Sequence, residues 1–208
     1  GYGNAGQHAH RLAAQMFGSR VVAASDSRGG VHDPAGLDPL RLAEHKERHG
    51  QLEGFPGARR ITNEELLELD VDVLVPAGIE NQLRKDNAAR VKASIVLELA
   101  NGPTTPEADA VLHRAGKLVV PDFLANSGGV TVSYFEWVQN LYGYAWSEGD
   151  VHQKLDAKMT SAFHAVYETH ARMQVDMRTA AYVVAVARVA EAVRLRGVVD
   201  CPPAAAPA

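Results

Sequence analysis

Six residues at the start of the chain, Gly1-Tyr2-Gly3-Asn4-Ala5-Gly6, have the G-x-G-x-x-G spacing of a turn that binds a dinucleotide pyrophosphate. Each glycine has a separate task in such a turn. Gly1 permits the tight passage from strand to helix, Gly3 removes a Cβ where the backbone must approach a phosphate, and Gly6 lets the helix lie close to the sheet. With Asn4 and Ala5 inside the turn, the start of the following helix supplies unpaired N–H groups and the positive end of a helix dipole to an anion. Asp26 lies 20 residues beyond Gly6, at the end of the apolar run Val21 to Ser25. An acid at that distance is placed to accept hydrogen bonds from ribose hydroxyls, with Ser27 beside it. Three glycines at this spacing also arise by chance, and an ordinary helix-to-strand connection can carry an incidental acid. The order turn, helix, strand, acid favours the nucleotide site.

The remaining candidates follow from a rule of open α/β sheets, that ligands lie beyond the carboxyl ends of the strands. It selects Ser25 to Ser27, Ala77 to Gln82, Asn101 to Pro103 and Asp122 to Val130. Asn81 carries a neutral amide that both donates and accepts; helix capping is the alternative role. Asn126-Ser127-Gly128-Gly129 enters a helix on which Val130, Ser133 and Trp137 share one side. One hydroxyl on such a stripe suits the wall of a small polar substrate. The alternative is that Val130 and Trp137 are core and Ser133 bonds back to its own helix.

The elements that must position these residues are legible from periodicity and turn chemistry. A helix is predicted over Gln7 to Phe17 with Gly18 as its stop, then a strand to Ser25 and a turn-like segment from Arg28 to Gly36. A helix follows from Asp38 to His49, then a stiff loop at Gly54 to Gly57 and a capping box at Thr62 to Glu65. Apolar runs at Asp72 to Pro76, Ile95 to Leu99 and Leu118 to Asp122 alternate with helices at Asp86 to Val91 and up to Gly116. Such alternation predicts a Rossmann-like, doubly wound and mostly parallel sheet with helices on both faces. Two long helices, from Ser147 to Met173 and from Met177 to Arg196, should form a satellite layer. The expected division is a dinucleotide-binding domain over 1–146, helices over 147–197 that pack on it and on a further domain, and a mobile Pro/Ala tail over 198–208. The first strand of the binding domain is expected upstream of Gly1.

Composition narrows the partners. A net charge of -4 without a Lys/Arg cluster argues against nucleic acid, and no apolar stretch approaches a membrane span. A single cysteine, Cys201 in the tail, excludes a disulfide framework and suits a reducing cytoplasm. His45 and His49 stand one helical turn apart, but no third ligand is evident, so no metal site is expected.

With these segments placed, the chain resembles the nucleotide-binding domain of hexameric NAD(P)-dependent glutamate dehydrogenases. The resemblance rests on Gly1 to Gly6, Gly54-Phe55-Pro56-Gly57, Ala100 to Ala108, Asn126 to Trp137 and Arg178-Thr179-Ala180-Ala181-Tyr182. It implies oxidative deamination of L-glutamate to 2-oxoglutarate and ammonia, with NAD or NADP as cofactor. By motif it implies that Asn101 and Asn126 contact the nicotinamide ribose and carboxamide. Gly129, Val130 and Ser133 would wall the substrate, with Ser133 donating to its distal carboxylate. Asp26 should repel a 2′-phosphate and favours NAD, while Ser27 and Arg28 offer a place for one. The family's catalytic lysine and aspartate precede the glycine turn, so no catalytic residue is expected in this segment and residues 1–208 alone should be inactive. Assembly is expected as a homo-hexamer or hetero-oligomer through the further domain. Leu99 departs from the family, which usually has glycine there. The alternatives are a branched-chain or aromatic amino-acid dehydrogenase, against which Ser133 speaks, and a non-catalytic regulatory subunit.

Overall fold

Short apolar runs make the strands nearest the predicted site. In the computed structural model, which describes residues 1–197 and leaves the tail with Cys201 outside the described residues, β4 (Val73–Leu74), β5 (Ile95–Leu97) and β6 (Leu118–Val120) pair in parallel in that order. Val73 lies opposite Ile95, and Ile95 opposite Leu118. Helix α4 (Pro106–Arg114) crosses from β5 to β6. Leu74, Leu83, Val96, Ala108, Leu112 and Val119 form the core between them.

The expected parallel arrangement holds for these strands and not for the others. β1 (Ala23–Asp26), β2 (Gly29–His32) and β3 (Arg59–Ile61) form an antiparallel sheet, with Ala24 opposite Val31 and Gly30 opposite Ile61. The segment read as turn-like is therefore a hairpin: Asp26 pairs with Gly29, leaving Ser27-Arg28 as its loop. Gly29 takes φ 140° directly after that loop, a conformation that suits glycine and lets the chain reverse at once. The helix predicted over Asp86 to Val91 is a single 3-10 turn, Ala88–Arg90. Asn87 explains it, because its side chain accepts from Arg84 N and donates to Gln82 O, both at 2.8 Å, and holds the backbone away from a regular helix.

The helices begin where the sequence supplies a cap. α2 (Pro39–His49) starts at Asp38, which accepts from Arg41 N at 2.8 Å, and ends at Gly50 in the left-handed region. α3 (Asn63–Leu67) and α7 (Glu148–Met173) carry full capping boxes from Thr62 with Glu65 and from Ser147 with Asp150. α8 (Met177–Leu195) is capped by Asp176. The third core cluster, Val120, Leu124, Val166, Met177, Ala180 and Ala181, joins α7 and α8 to β6 and to the short α5 (Asp122–Ala125). The small residues Ala180 and Ala181 bring the α8 backbone close to the sheet.

The remaining cluster encloses a histidine. His10, on α1 (Asn4–Phe17), is 3% exposed. Its Nε2–H donates to Leu37 O at 2.9 Å, which leaves Nδ1 to accept from the Tyr2 hydroxyl at 2.7 Å. Burial lowers the His10 pKa below 6.5 and pushes the Tyr2 phenol up to about 12. Because the unfolded chain binds this proton more readily, stability should be level above pH 6.5 and fall as pH drops below it, until the lower folded pKa is passed. His10→Asn should cost about 1–3 kcal/mol at pH 7.5 by leaving Leu37 O or the Tyr2 hydroxyl unpaired. Urea midpoints between pH 5.5 and 7.5 should show a shallower slope in the variant than in the parent protein.

Candidate functional site

The glycine turn sits in the seam between the two sheets. Tyr2 N donates to Ser25 O at 2.6 Å, tying the turn to the end of β1. On the other side Gly1 backs onto Gly78 and Ala77, just past the end of β4, so closely that a Cβ on Gly1 would overlap the Gly78 backbone. A Cβ on Gly6 would likewise overlap Gly1 O, whereas one on Gly3 would meet nothing within 4 Å. The three glycines thus divide as the motif requires: two are packed against backbone and one faces open space. Lys46 on α2 and Gln7 both donate to Tyr2 O, at 2.6 and 3.3 Å, and brace the turn from behind.

Helix α1 opens from this turn without a side-chain cap and without an acid in its first turn. Gln7 N takes Gly3 O at 2.9 Å, so the N–H groups of Asn4, Ala5 and Gly6 have no partner inside the helix. Gly3, Asn4 and Ala5 are exposed. The arrangement offers an anion three backbone donors and the positive end of a helix dipole.

Asp26 closes β1. Its two oxygens each accept one backbone N–H, from Arg28 and from Leu52, both at 2.9 Å. Each oxygen keeps lone-pair capacity for a further donor. A cavity of about 330 Å³ opens beside Ser27, walled by Arg28, Arg60, Ile61, Thr62 and Asn63. Asn63 donates to Asp26 O at 3.2 Å, and its own Oδ1 is buried with no hydrogen-bond partner among the described residues.

The other strand ends converge on the same edge. Asn81, at φ 55°, donates its N–H to Gly102 O at 2.9 Å, and Gln82 and Leu83 donate to Pro103 O, so the loops after β4 and β5 are zipped together. Asn126 Nδ2 donates to Asn101 Oδ1 at 2.7 Å and to Leu99 O at 3.4 Å. The two asparagines singled out in the sequence are therefore a bonded pair. Leu99 lies outside the left-handed region, and its N–H and that of Ala100 both reach Pro76 O at 2.9 Å. A leucine in place of the usual glycine leaves this backbone path unstrained.

On α6 (Gly128–Tyr142), Gly129 is exposed, Val130 is 70% exposed and Trp137 is 57% exposed, so the apolar side of this stripe is not core. Ser133 Oγ is exposed and donates to Gly129 O at 3.1 Å, a bond within its own helix. The His45 ring donates from Nε2 to Glu53 O at 3.2 Å and stands edge-on to Phe55, which makes it an anchor for the following loop. Among the described residues no three potential metal ligands converge, and no helix is long and apolar enough to cross a membrane.

Sequence reasoning missed one cluster. Glu98, at the end of β5, is fully buried and takes both its oxygens to Arg178 Nη2 at 2.8 Å. The same guanidinium donates to Asp109 at 2.5 Å and Asp122 at 3.1 Å. Burial works to lower the Arg178 pKa, but the bonds to Glu98 and Asp109 outweigh it and raise the pKa above the ordinary arginine value. An acid in the middle of an apolar run, as Glu98 is, was the available signal; its partner lies 80 residues away.

These features define an α/β chain with an open, glycine-lined helix N-terminus at the carboxyl edge of a parallel sheet. Residues 1–197 match the family model described as Glutamate/Leucine/Phenylalanine/Valine dehydrogenase, and the chain belongs to that family. It is 54% identical over 198 residues to a glutamate dehydrogenase of Thermotoga maritima, covering 95% of this chain and 48% of that protein. It is 50% identical over 197 residues to an NAD-specific glutamate dehydrogenase of Staphylococcus aureus, covering 95% and 47%. Among solved structures, a hetero-hexameric glutamate dehydrogenase from Thermus thermophilus in a Leu-bound form superposes with a TM-score of 0.86 at 38% identity, over 94% of this chain and 46% of that one. The chain thus spans about half the length of the curated relatives it matches.

The packing around the turn separates two glycines by experiment. Gly6→Ala should lower stability by about 1–3 kcal/mol, because the added methyl displaces Gly1. Gly3→Ala should stay within about 1 kcal/mol of the parent protein, the difference between glycine and alanine at an N-cap. Urea unfolding of both variants checks the contrast.

Proposed function

We propose that this chain is the cofactor-binding portion of an NAD-dependent glutamate dehydrogenase, which converts L-glutamate to 2-oxoglutarate and ammonia. The observation that carries the reading is the uncapped N-terminus of α1, open at the seam beside Gly78. The residues present fit a dinucleotide on this chain's own terms: a turn with space at Gly3, and an unpartnered Asn63 oxygen in the wall of the cavity beside Ser27. Gly1, Gly3, Asn4, Ala5 and Gly6 would hold the diphosphate, Asp26 and Ser27 the adenosine ribose, and Asn101 with Asn126 the nicotinamide end, with Ala77 and Asn81 between. A nicotinamide bound there would supply hydride acceptance from the substrate Cα. Gly129 and Val130 line the substrate side, and Ser133 exchanges its bond to Gly129 O for one to the distal carboxylate.

A strand running into Gly1 would fill the seam between β1 and β4 and complete a Rossmann-like, doubly wound sheet. The dinucleotide-binding domain then runs over 1–146. The helices of 147–197 present Tyr182, Val186 and Val189, each more than half exposed, to the rest of the full-length protein. The similarity to a hetero-hexamer keeps open a non-catalytic subunit of a mixed assembly, and supports hexameric assembly in either case.

NADH should bind this chain at least tenfold more tightly than NADPH, since Asp26 meets the added phosphate with a like charge. Fluorescence titration with both decides it, and equal affinities would remove the assignment of Asp26. The chain alone should turn over no glutamate in an NADH absorbance assay. The full-length protein should prefer glutamate over leucine and phenylalanine, and preference for either apolar substrate would move it elsewhere in the family. No activity with any of the three would favour the regulatory subunit.

A further inference from the structure

The Arg178 cluster does more than bury charge, because one of its carboxylates has two faces. Asp122 gives Oδ1 to Arg178 Nη1 and Oδ2 to Gly102 N, at 3.1 and 2.7 Å. Its backbone is equally engaged: Asp122 N donates to Glu98 Oε2 at 2.8 Å, and Asp122 O accepts from Asn126 N at 2.8 Å. Asp122 therefore stands beneath both members of the amide pair. It holds Asn101 through the neighbouring Gly102, itself at φ 55°, and Asn126 through the single turn of α5. Arg178 grips this residue from α8, while both oxygens of Glu98 hold its Nη2 with two equal bonds of 2.8 Å.

We propose that Arg178 is a positioning residue for the nicotinamide end of the site, setting the spacing of Asn101 and Asn126 through Asp122 and Gly102. The inference rests on the proposed cofactor role of that pair and adds the residue that determines its geometry. A lysine cannot replace this arginine, since a single ammonium cannot reproduce a fork that meets Glu98, Asp109 and Asp122 in three directions. The adenosine half of the site, around Asp26 and the glycine turn, has no contact with the cluster among the hydrogen bonds of the described residues. The role predicts an effect on one end of the cofactor only.

The test compares NADH with ADP, which carries the adenosine and diphosphate but neither the nicotinamide nor its ribose. Both are measured on the full-length protein, NADH by fluorescence titration and ADP by its displacement of NADH. Arg178→Met should weaken NADH at least tenfold and ADP less than threefold, with Arg178→Lys between the parent and Arg178→Met for NADH. Asp122→Asn, which keeps an acceptor for Gly102 and removes the charge that Arg178 grips, should shift the NADH to ADP ratio in the same direction. Asp109→Asn removes the charge from a bond that leads only to α4 and should leave the ratio within twofold. Equal weakening of NADH and ADP marks Arg178 as a general structural residue and overturns the inference, as does an unchanged ratio. A shift in Asp109→Asn as large as in Asp122→Asn overturns the path through Asp122. If Arg178→Met does not fold, Arg178→Lys and Asp122→Asn decide the matter. A parent protein that binds no NADH overturns the cofactor reading itself, an outcome separate from a parent that binds it with an Arg178-independent ratio.

Discussion

A carboxylate withdrawn completely from water has to be met by a cation in good geometry, and Glu98 imposes that condition on this fold. Removing such an ion from water costs several kcal/mol even after the surroundings relax, and only a close, well-directed partner offsets it. Arg178 supplies that partner with two equal bonds, and gathers Asp109 and Asp122 at the same time. Truncating a partner of this kind costs about 3–5 kcal/mol, as much as deleting a large core side chain. The condition fixes where α8 must lie. Met177, Ala180 and Ala181 flank Arg178 and are all buried, and the two alanines are small enough to let the helix approach until the guanidinium reaches β5. The packing of the C-terminal helices and the pairing of a buried acid are thus one event.

The same economy of hydrogen bonds separates helices that hold the fold from those that open the site. α2, α3, α4, α7 and α8 each begin with a side chain that accepts from the first turn. α1 and α6 do not; Gly3 has no side chain, and Ser127 turns its hydroxyl toward Leu124 O. An absent cap costs about 1 kcal/mol, and here it falls on the two long helices that start at the carboxyl edge. Donors that a cap would have satisfied remain available there. Helix stability and the supply of free backbone donors are in this way set by the same few residues at the start of each helix.

Much of this was readable from local chemistry. The glycine turn, the strand-end positions and the capping boxes each depend on neighbours within a few residues, so spacing alone placed them. Gly78, Asn81, Asn101 and Asn126 were selected together by the strand-end rule and Gly1 by the glycine spacing, and they meet along one edge. The hairpin of β1 and β2 was hidden because Gly29 and Gly30 look like loop residues, while Arg59 and Arg60 look too charged for a strand. Both appearances have physical causes: Gly30 packs against the backbone of Ala24, where a larger residue would crowd, and Arg59 and Arg60 stay exposed on an edge strand. The Arg178 cluster was illegible for a different reason. Arg178 is 56 to 80 residues from its three carboxylates, and nothing in periodicity links them.

The amide pair shows why neutral groups stand at that point of the edge. Asn126 Nδ2 spends both hydrogens, on Asn101 Oδ1 and on Leu99 O, which leaves Asn126 Oδ1 as an acceptor and Asn101 Nδ2 as a donor. A ligand that carries one acceptor and one donor, as a carboxamide does, is complementary to that remainder. A lysine or aspartate could satisfy only one half of such a group. Pairing also immobilises both side chains in advance, so that a carboxamide bound there would not have to order them at about 0.5–1.5 kcal/mol each. That advantage lasts only while the loop bearing Asn101 and the turn bearing Asn126 keep their spacing, and both are anchored on Asp122. The spacing of the two amides is therefore inherited from the charges behind them.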